Sequence, residues 1–159
     1  MIRTIVRAFY RATVLLMLCG AAASPSWGGD SLDLQRYPGK IVIVDFWASW
    51  CAPCRQSFPW LNEMQLKYAD QGLIVVGVNV DRVRADADRF LREVPAKFGI
   101  VYDPEGAIAT RYDLPGMPTS LVFGRNGELI GTHVGFRSAV RDEREAELRK
   151  LLATASDSK

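Results

Sequence analysis

Ile41-Val42-Ile43-Val44-Asp45-Phe46-Trp47-Ala48-Ser49-Trp50-Cys51-Ala52-Pro53-Cys54 runs from a block of branched and aromatic residues into a close pair of cysteines. The block follows Pro38-Gly39-Lys40 and is apolar apart from Asp45, the pattern of a strand covered on both faces. Beyond the pair, Phe58, Leu61, Met64 and Tyr68 recur at helical spacing, so a helix is expected over 52–69, kinked at Pro59 and ended by Gly72. The cysteines therefore stand where a central strand ends and a helix begins.

Working outward, residues 73–80 read as a second buried strand, and Ala87, Phe90, Leu91 and Val94 mark a helix that Pro95 stops. A short strand over 99–102, a turn at Asp103-Pro104-Glu105-Gly106 and a short helix over 107–112 follow. Strands over 120–123 and 129–134, joined through Asn126-Gly127, predict a hairpin, because glycine tolerates the positive φ of a tight turn. Val140, Leu148, Leu151 and Leu152 give the last helix one apolar side, and its charges form a solvated face. Alternating strands and helices closed by a hairpin and helix predict an α/β fold, a mixed central sheet packed between helices.

The chain has 159 residues, 48% hydrophobic and 24% charged, which suits one domain with a real core and excludes a disordered, collagen-like or multi-pass membrane chain. Lys plus Arg number 20 against 18 for Asp plus Glu, and the slight excess resides in Arg3, Arg7 and Arg11. A nucleic-acid partner is not expected, since the folded part carries no basic surplus. Residues 1–23 read as a cleaved signal peptide: positive charge, an apolar run over 13–23, then Ala21-Ala22-Ala23. That run is far shorter than the roughly 20 residues of a membrane-spanning helix, so a permanent anchor is the weaker reading. Lipidation of Cys19 is weaker too, because Leu18 before it is large. A flexible lead-in over 24–31, one domain over 32–154 and a tail over 155–159 complete the division. Export places the cysteine pair where disulfides persist.

Residues three apart on a helix's first turn lie on one side, so the two sulfurs can meet in a disulfide. Cys51 also faces unpaired backbone N–H groups and the positive end of the helix dipole, which stabilise a thiolate; it is the expected nucleophile. Cys54, deeper, is the expected resolving thiol, and Pro53 fixes φ without removing a needed hydrogen bond. Zinc fails on ligand count, since beyond the pair the mature chain offers only His133. A purely structural staple is the bland alternative, but so small a loop removes little unfolded-state entropy.

Asp45 is a carboxylate within an apolar strand. Burial raises such a pKa toward neutrality and would let Asp45 take the Cys54 proton and return it; the alternative is a carboxylate satisfied structurally. At Met117-Pro118-Thr119 a cis peptide can be held, a trans turn being the alternative. If cis, the Met117 backbone is free to pair with an extended substrate and Pro118 packs on the sulfurs. Trp50, Pro53, Met117, Pro118 and Thr119 are the expected substrate-binding rim, Trp47 is expected to pack, and His133 is read as a plain strand residue without a role.

Val44 to Cys54 resembles the active-site segment of the thioredoxin superfamily, and Gly116-Met117-Pro118-Thr119 resembles its cis-proline loop. With the leader, the resemblance is closest to exported TlpA/ResA-like disulfide reductases and covers residues 32–152. It implies a thioredoxin-like fold with a strand-helix insertion near 82–112, with Cys51 attacking, Cys54 resolving, Asp45 as the buried carboxylate, and Met117 and Pro118 in the substrate loop. Two features depart from the pattern. Ser57 stands where many such proteins have a glutamate, which shifts acid/base work to Asp45, and only residues 31–40 are available for the N-terminal hairpin usual in the family.

The resemblance further implies a periplasmic, monomeric protein disulfide reductase that needs no cofactor or metal. Its implied partners are disulfide-containing exported proteins, such as apocytochrome c or copper-site assembly proteins, and a membrane DsbD- or CcdA-like electron donor. A thiol oxidase of the same chemistry, a Cu(I)-binding assembly module and a peroxidase remain as alternatives.

Overall fold

The structure, a computed structural model, describes residues 28–29 and 32–154. The expected signal peptide with its cleavage site, Cys19 and the 155–159 tail lie outside those residues. Six strands, β1 (Gly28–Gly29), β2 (Ile41–Trp47), β3 (Leu73–Asn79), β4 (Gly99–Tyr102), β5 (Thr119–Phe123) and β6 (Leu129–Val134), form one sheet in the order β1-β4-β3-β2-β5-β6. The first four of that order are parallel, whereas β5 runs antiparallel to β2 and β6 to β5. The sheet is mixed, as the sequence predicts. Gly28–Gly29 lies in the stretch read as a lead-in, and its edge pairing to Ile100 and Val101 is made by backbone alone, which hydropathy cannot register.

The sheet lies between two layers of helix. α1 (Ala52–Tyr68), α2 (Arg84–Glu93), α3 (Ala107–Arg111) and α4 (Arg141–Ala153) follow the expected order. Every residue of β2 is buried. Because side chains alternate along a strand, Ile41 and Ile43 face Trp60, Leu61 and Met64 of α1 and Leu148 and Leu152 of α4. Val42, Val44 and Phe46 face Ile108 of α3 and the 3-10 turn Leu34–Arg36 on the other side.

α1 continues through Pro59 without a break. Proline removes one intrahelical bond, but Pro59 is on the exposed side, where water reaches the freed carbonyl. After Tyr68 a 3-10 turn tightens the chain and Gly72, at φ +96°, turns it into β3. The hairpin between β5 and β6 carries Gly127 at φ +80°, the left-handed geometry anticipated there.

A third apolar cluster sits beneath the C-terminal end of β2. Trp47 packs edge-on to Phe58 at 5.0 Å and lies 4.7 Å from Phe90 of α2, with Phe58 and Phe90 also 5.0 Å apart. Cys51, Cys54 and Ala87 complete the same cluster, so the floor under the sulfurs is aromatic and rigid. Phe58 is fully buried between both rings. Phe58→Ala is expected to lower unfolding free energy by about 3–5 kcal/mol, read as a lower denaturant midpoint in the oxidised protein. An unchanged midpoint would mean that the aromatic floor does not hold α1 on the sheet.

Candidate active site

Cys51 is the N-cap of α1, with extended backbone (φ −85°, ψ 100°) where the strand's exit loop turns into the helix. The Cys54 N–H donates to the Cys51 carbonyl at 3.1 Å and points at Cys51 Sγ at 3.3 Å. A helix-terminal N–H directed at sulfur is the arrangement that stabilises a thiolate. The two sulfurs are joined in a disulfide, S–S 2.04 Å, across Cα atoms 5.3 Å apart. Cys51 is 4% exposed and Cys54 is fully buried, the order of depth expected of an attacking and a resolving thiol.

Around the sulfurs the rim is unevenly exposed. Trp50 is 70% exposed, whereas Trp47 is fully buried, so the two tryptophans divide as expected into surface and core. Met117–Pro118 is a cis peptide, and Met117 packs against the cluster that holds both cysteines. Trp50, Thr110, Asp113, Leu114, Gly116 and Met117 line one open groove beside the pair. Pro53 is exposed in the first turn of α1 and Pro118 is buried. Thr119 is buried as well and donates its hydroxyl to the Gly116 carbonyl at 2.7 Å, so it braces the loop from beneath and presents no side chain to the groove.

Asp45 is fully buried on the α1 side of the sheet, between the Ile43 and Trp47 positions. Its cross-strand neighbours are Gly77 on β3 and Ser120 on β5. The Ser120 hydroxyl donates to Asp45 Oδ1 at 2.6 Å, while Oδ2 has no partner within the described chain. Loss of hydration raises the Asp45 pKa from 3.8 to about 7, against the opposing effects of the Ser120 hydrogen bond and the Arg144 charge. Gly77 leaves no room for a side chain opposite: a Cβ there would meet Ile100 Cδ1 at 2.9 Å, Phe98 at 3.0 Å and Trp47 Nε1 at 3.1 Å.

Sequence reading missed the clamp on the loop before Cys51. Asp81, buried just after β3, accepts the Ser49 N–H at 2.8 Å and the Ser49 hydroxyl at 2.9 Å, and Asn79 Nδ2 holds it at 2.7 Å. The only available sign was Asn79-Val80-Asp81 at the end of a parallel strand, the end where open α/β sheets place their sites. Ser57, in the position where a glutamate was noted as missing, is buried and donates to the Cys54 carbonyl at 3.1 Å.

The pH dependence of stability follows from Asp45. Its folded pKa lies above its unfolded value, so between about pH 3.8 and 7 the native chain retains a proton that the unfolded chain has released. Stability contributed by the neutral acid is therefore present at low pH and lost as pH rises through that window, at about 1.4 kcal/mol per unit. Asp45→Asn should lack this fall and gain on the native chain by a few kcal/mol between pH 4 and 7.5, measured by denaturant titration of the oxidised forms. A difference that does not vary with pH would rule out the raised value.

Comparison with known proteins agrees with this geometry. The family model described as Redoxin matches residues 22–151. The thiol-disulfide oxidoreductase ResA of Geobacillus kaustophilus is 31% identical over 119 residues, covering 75% of this chain and 68% of that protein. ResA of Bacillus thuringiensis subsp. konkukian is 25% identical over 169 residues, covering 91% of this chain and 96% of that one. Among solved structures, a Chlorobium tepidum protein assigned as a thiol:disulfide interchange protein DsbE superposes with a TM-score of 0.73 at 48% identity, covering 75% of this chain and 84% of that one. With a bonded Cys51–Cys54 pair at a helix start on a thioredoxin-like sheet, the chain belongs to the Redoxin family and is a thiol:disulfide oxidoreductase.

Proposed function

We propose that this is an exported, periplasmic protein disulfide reductase. The observation that carries the reading is the asymmetric pair: one sulfur under a helix-terminal N–H, next in the chain to the exposed Trp50, its partner fully enclosed on the side of the sheet that holds Asp45. In the first step the Cys51 thiolate attacks one sulfur of a substrate disulfide, and the other sulfur leaves with the electron pair of the broken bond and takes a proton from water. In the second step Cys54 gives its proton to Asp45 and attacks Cys51 Sγ, closing the intramolecular disulfide. The substrate's remaining sulfur leaves as a thiolate, and two electrons have passed from the pair to the substrate.

The exposed face of Trp50 and the Met117 backbone form the surface on which an extended segment next to the substrate disulfide would lie, with Pro53 at its edge and Pro118 at its base. Thr119 acts through the loop conformation alone. The reductive direction rests on the resemblance to exported TlpA/ResA-like disulfide reductases, and the enclosed carboxylate would serve the resolving step. Resemblance to exported family members supplies the rest: a cleaved signal, a monomeric protein, disulfide-containing exported substrates such as apocytochrome c or copper-site assembly proteins, and re-reduction by a DsbD- or CcdA-like membrane donor.

Two measurements test this reading. Cys54→Ser should accumulate mixed disulfides with exported proteins in cells, reversible by added thiol, while the wild type reduces insulin in vitro. Titration in glutathione buffers should give a potential nearer the roughly −270 mV of a reductant than the roughly −120 mV of a strong oxidant. A strongly oxidising value would reverse the assigned direction, and the absence of both adducts and insulin reduction would remove the reductase assignment.

A further inference from the structure

Asp45, Ser120 and His133 form a single row across three adjacent strands. The register pairs Asp45 with Ser120 between β2 and β5, and Ser120 with His133 between β5 and β6. Directly opposed residues share one face of a sheet, with Cβ atoms about 4.5–5.5 Å apart. At the far end His133 Nε2 lies 2.9 Å from Glu147 Oε2 on α4, whose side chain is 44% exposed. A narrow cavity of about 10 Å³, bordered by Ser120, His133, Arg144 and Glu147 and roofed by Ile43 and Leu148, opens along this row. That is close to the smallest space that admits one water. A polar file thus crosses an otherwise apolar layer, from a fully enclosed carboxylate to the solvent rim.

The reaction gives such a file something to do. While substrate is held on Cys51, the mouth over Trp50 and Met117 is covered, and the proton taken from Cys54 is trapped on a buried acid. The elements packed around Asp45 offer few ways out. α1 contributes apolar side chains, Cys54 and Ser57, whose hydroxyl proton is held by the Cys54 carbonyl, and β3 presents Gly77, which has no side chain. Ser120 on β5 and the charge of Arg144 on α4 are the polar groups that act on Asp45, and beyond them stand His133 and Glu147. Arg144 is anchored through Nη2 to the Gly135 carbonyl at 2.9 Å, and its charge favours the ionised form of Asp45.

We propose that the row Asp45–Ser120–His133–Glu147 is a rear proton exit, through which Asp45 returns to its carboxylate form while substrate still covers the front of the site. The proposal rests on the reading of Asp45 as the base for Cys54. In the resolving step the Cys54 S–H bond breaks and its proton goes to Asp45 Oδ2, the oxygen without a partner. The sulfur's electron pair forms the Cys51–Cys54 bond, and the substrate sulfur departs with the pair of the bond it loses. The protonated carboxyl and the Ser120 hydroxyl then reorient together: Asp45 donates its proton to Ser120 Oγ, which gives up its own through one water to a ring nitrogen of His133. Glu147, 2.9 Å from His133 Nε2, continues the file to the solvent that collects the proton. His133 touches neither substrate nor sulfur, so it is a positioning and relay group and not a catalytic residue.

The test separates the two thiol releases by stopped flow, mixing reduced protein in dilute buffer at pH 7 with excess of a small peptide disulfide. The first release reports attack by Cys51 and serves as the internal reference; the second reports resolution by Cys54. Asp45→Asn should slow the second release most, because the base itself is lost. His133→Phe, which keeps a ring in the space, should slow it about tenfold, less than the ~10²-fold or more of a missing base. His133→Ala should be similarly slow and should recover as free imidazole is added, a rescue that a purely structural role would not show. If Asp45→Asn slows resolution while both His133 variants match the wild type, or if imidazole restores nothing, the exit is refuted and Asp45 stands as the base. If Asp45→Asn resolves at the wild-type rate, both the base and its exit are refuted.

Discussion

Burial of β2 on both faces is the constraint on which the active site depends. The strand pairs over its whole length with β3 and over most of it with β5, and none of its residues is exposed. A chain leaving the C-terminal end of such a strand must turn over the sheet before it can return, and α1 makes that return by laying Phe58, Leu61 and Met64 on the face it has just left. The turn is where backbone N–H groups are still unpaired, and Cys51 occupies its cap. The exposure of Trp50 and the enclosure of Trp47 are two sides of the same geometry, one residue inside the strand and the other beyond its end. Rigidity below the sulfurs and access above them are thus set by one change of direction.

Two buried aspartates flank this turn, and their donor counts separate their roles. Asp81 receives the Ser49 N–H, the Ser49 hydroxyl and Asn79 Nδ2, so both of its oxygens are engaged in holding the loop. Asp45 receives one hydroxyl, and its other oxygen has no partner among the described residues. A buried carboxylate with too few donors is costly in its charged form and becomes a proton acceptor near neutral pH, whereas one saturated with donors is a structural anchor. The same side chain at similar depth can therefore tie down the loop before Cys51 at one position and, in the proposed mechanism, exchange protons at the other.

Much of this was legible in the sequence because it is local. Ile41–Trp47, Gly99–Tyr102 and Leu129–Val134 fall where runs of apolar residues and their flanking turns place them, and the helix opening on the cysteine pair needs only spacing and Pro53 to be seen. α2 starts at Arg84, three residues ahead of Ala87, because the exposed residues that open a helix leave no mark in the apolar pattern and Ala87 is the first to reach the core. What the sequence concealed is cross-strand. Asp45 sits in a strand buried on both sides, so alternation could not say which layer it joins; the register opposite Gly77 and Ser120 does. Gly77 is there because three side chains converge on the position of its missing Cβ, one of them from its neighbouring strand β2. His133 reads as unremarkable in its own strand and gains meaning only from Ser120 and Glu147, which lie 13 and 14 residues away in the chain and next to it in space.

Ser57 stands where α1 would otherwise carry an acid, and the buried carboxylate of this layer lies on β2 instead. The Ser57 hydroxyl bonds back to the Cys54 carbonyl within α1, as serine does when buried in a helix, and it has no proton to exchange at neutral pH. An acid on α1 would ride on the same helix as Cys54 and would share any tilt of that helix when substrate docks. An acid on β2 is held by ladders on both sides and by packing above and below, so its distance from the resolving sulfur is fixed by the most constrained element of the fold. The same placement sets the carboxylate toward β5, where Ser120 is its one hydrogen-bond donor among the described residues. An acid on the strand instead of the helix faces the sheet's far edge, and under the proposed proton exit the polarity of that edge becomes part of the active site.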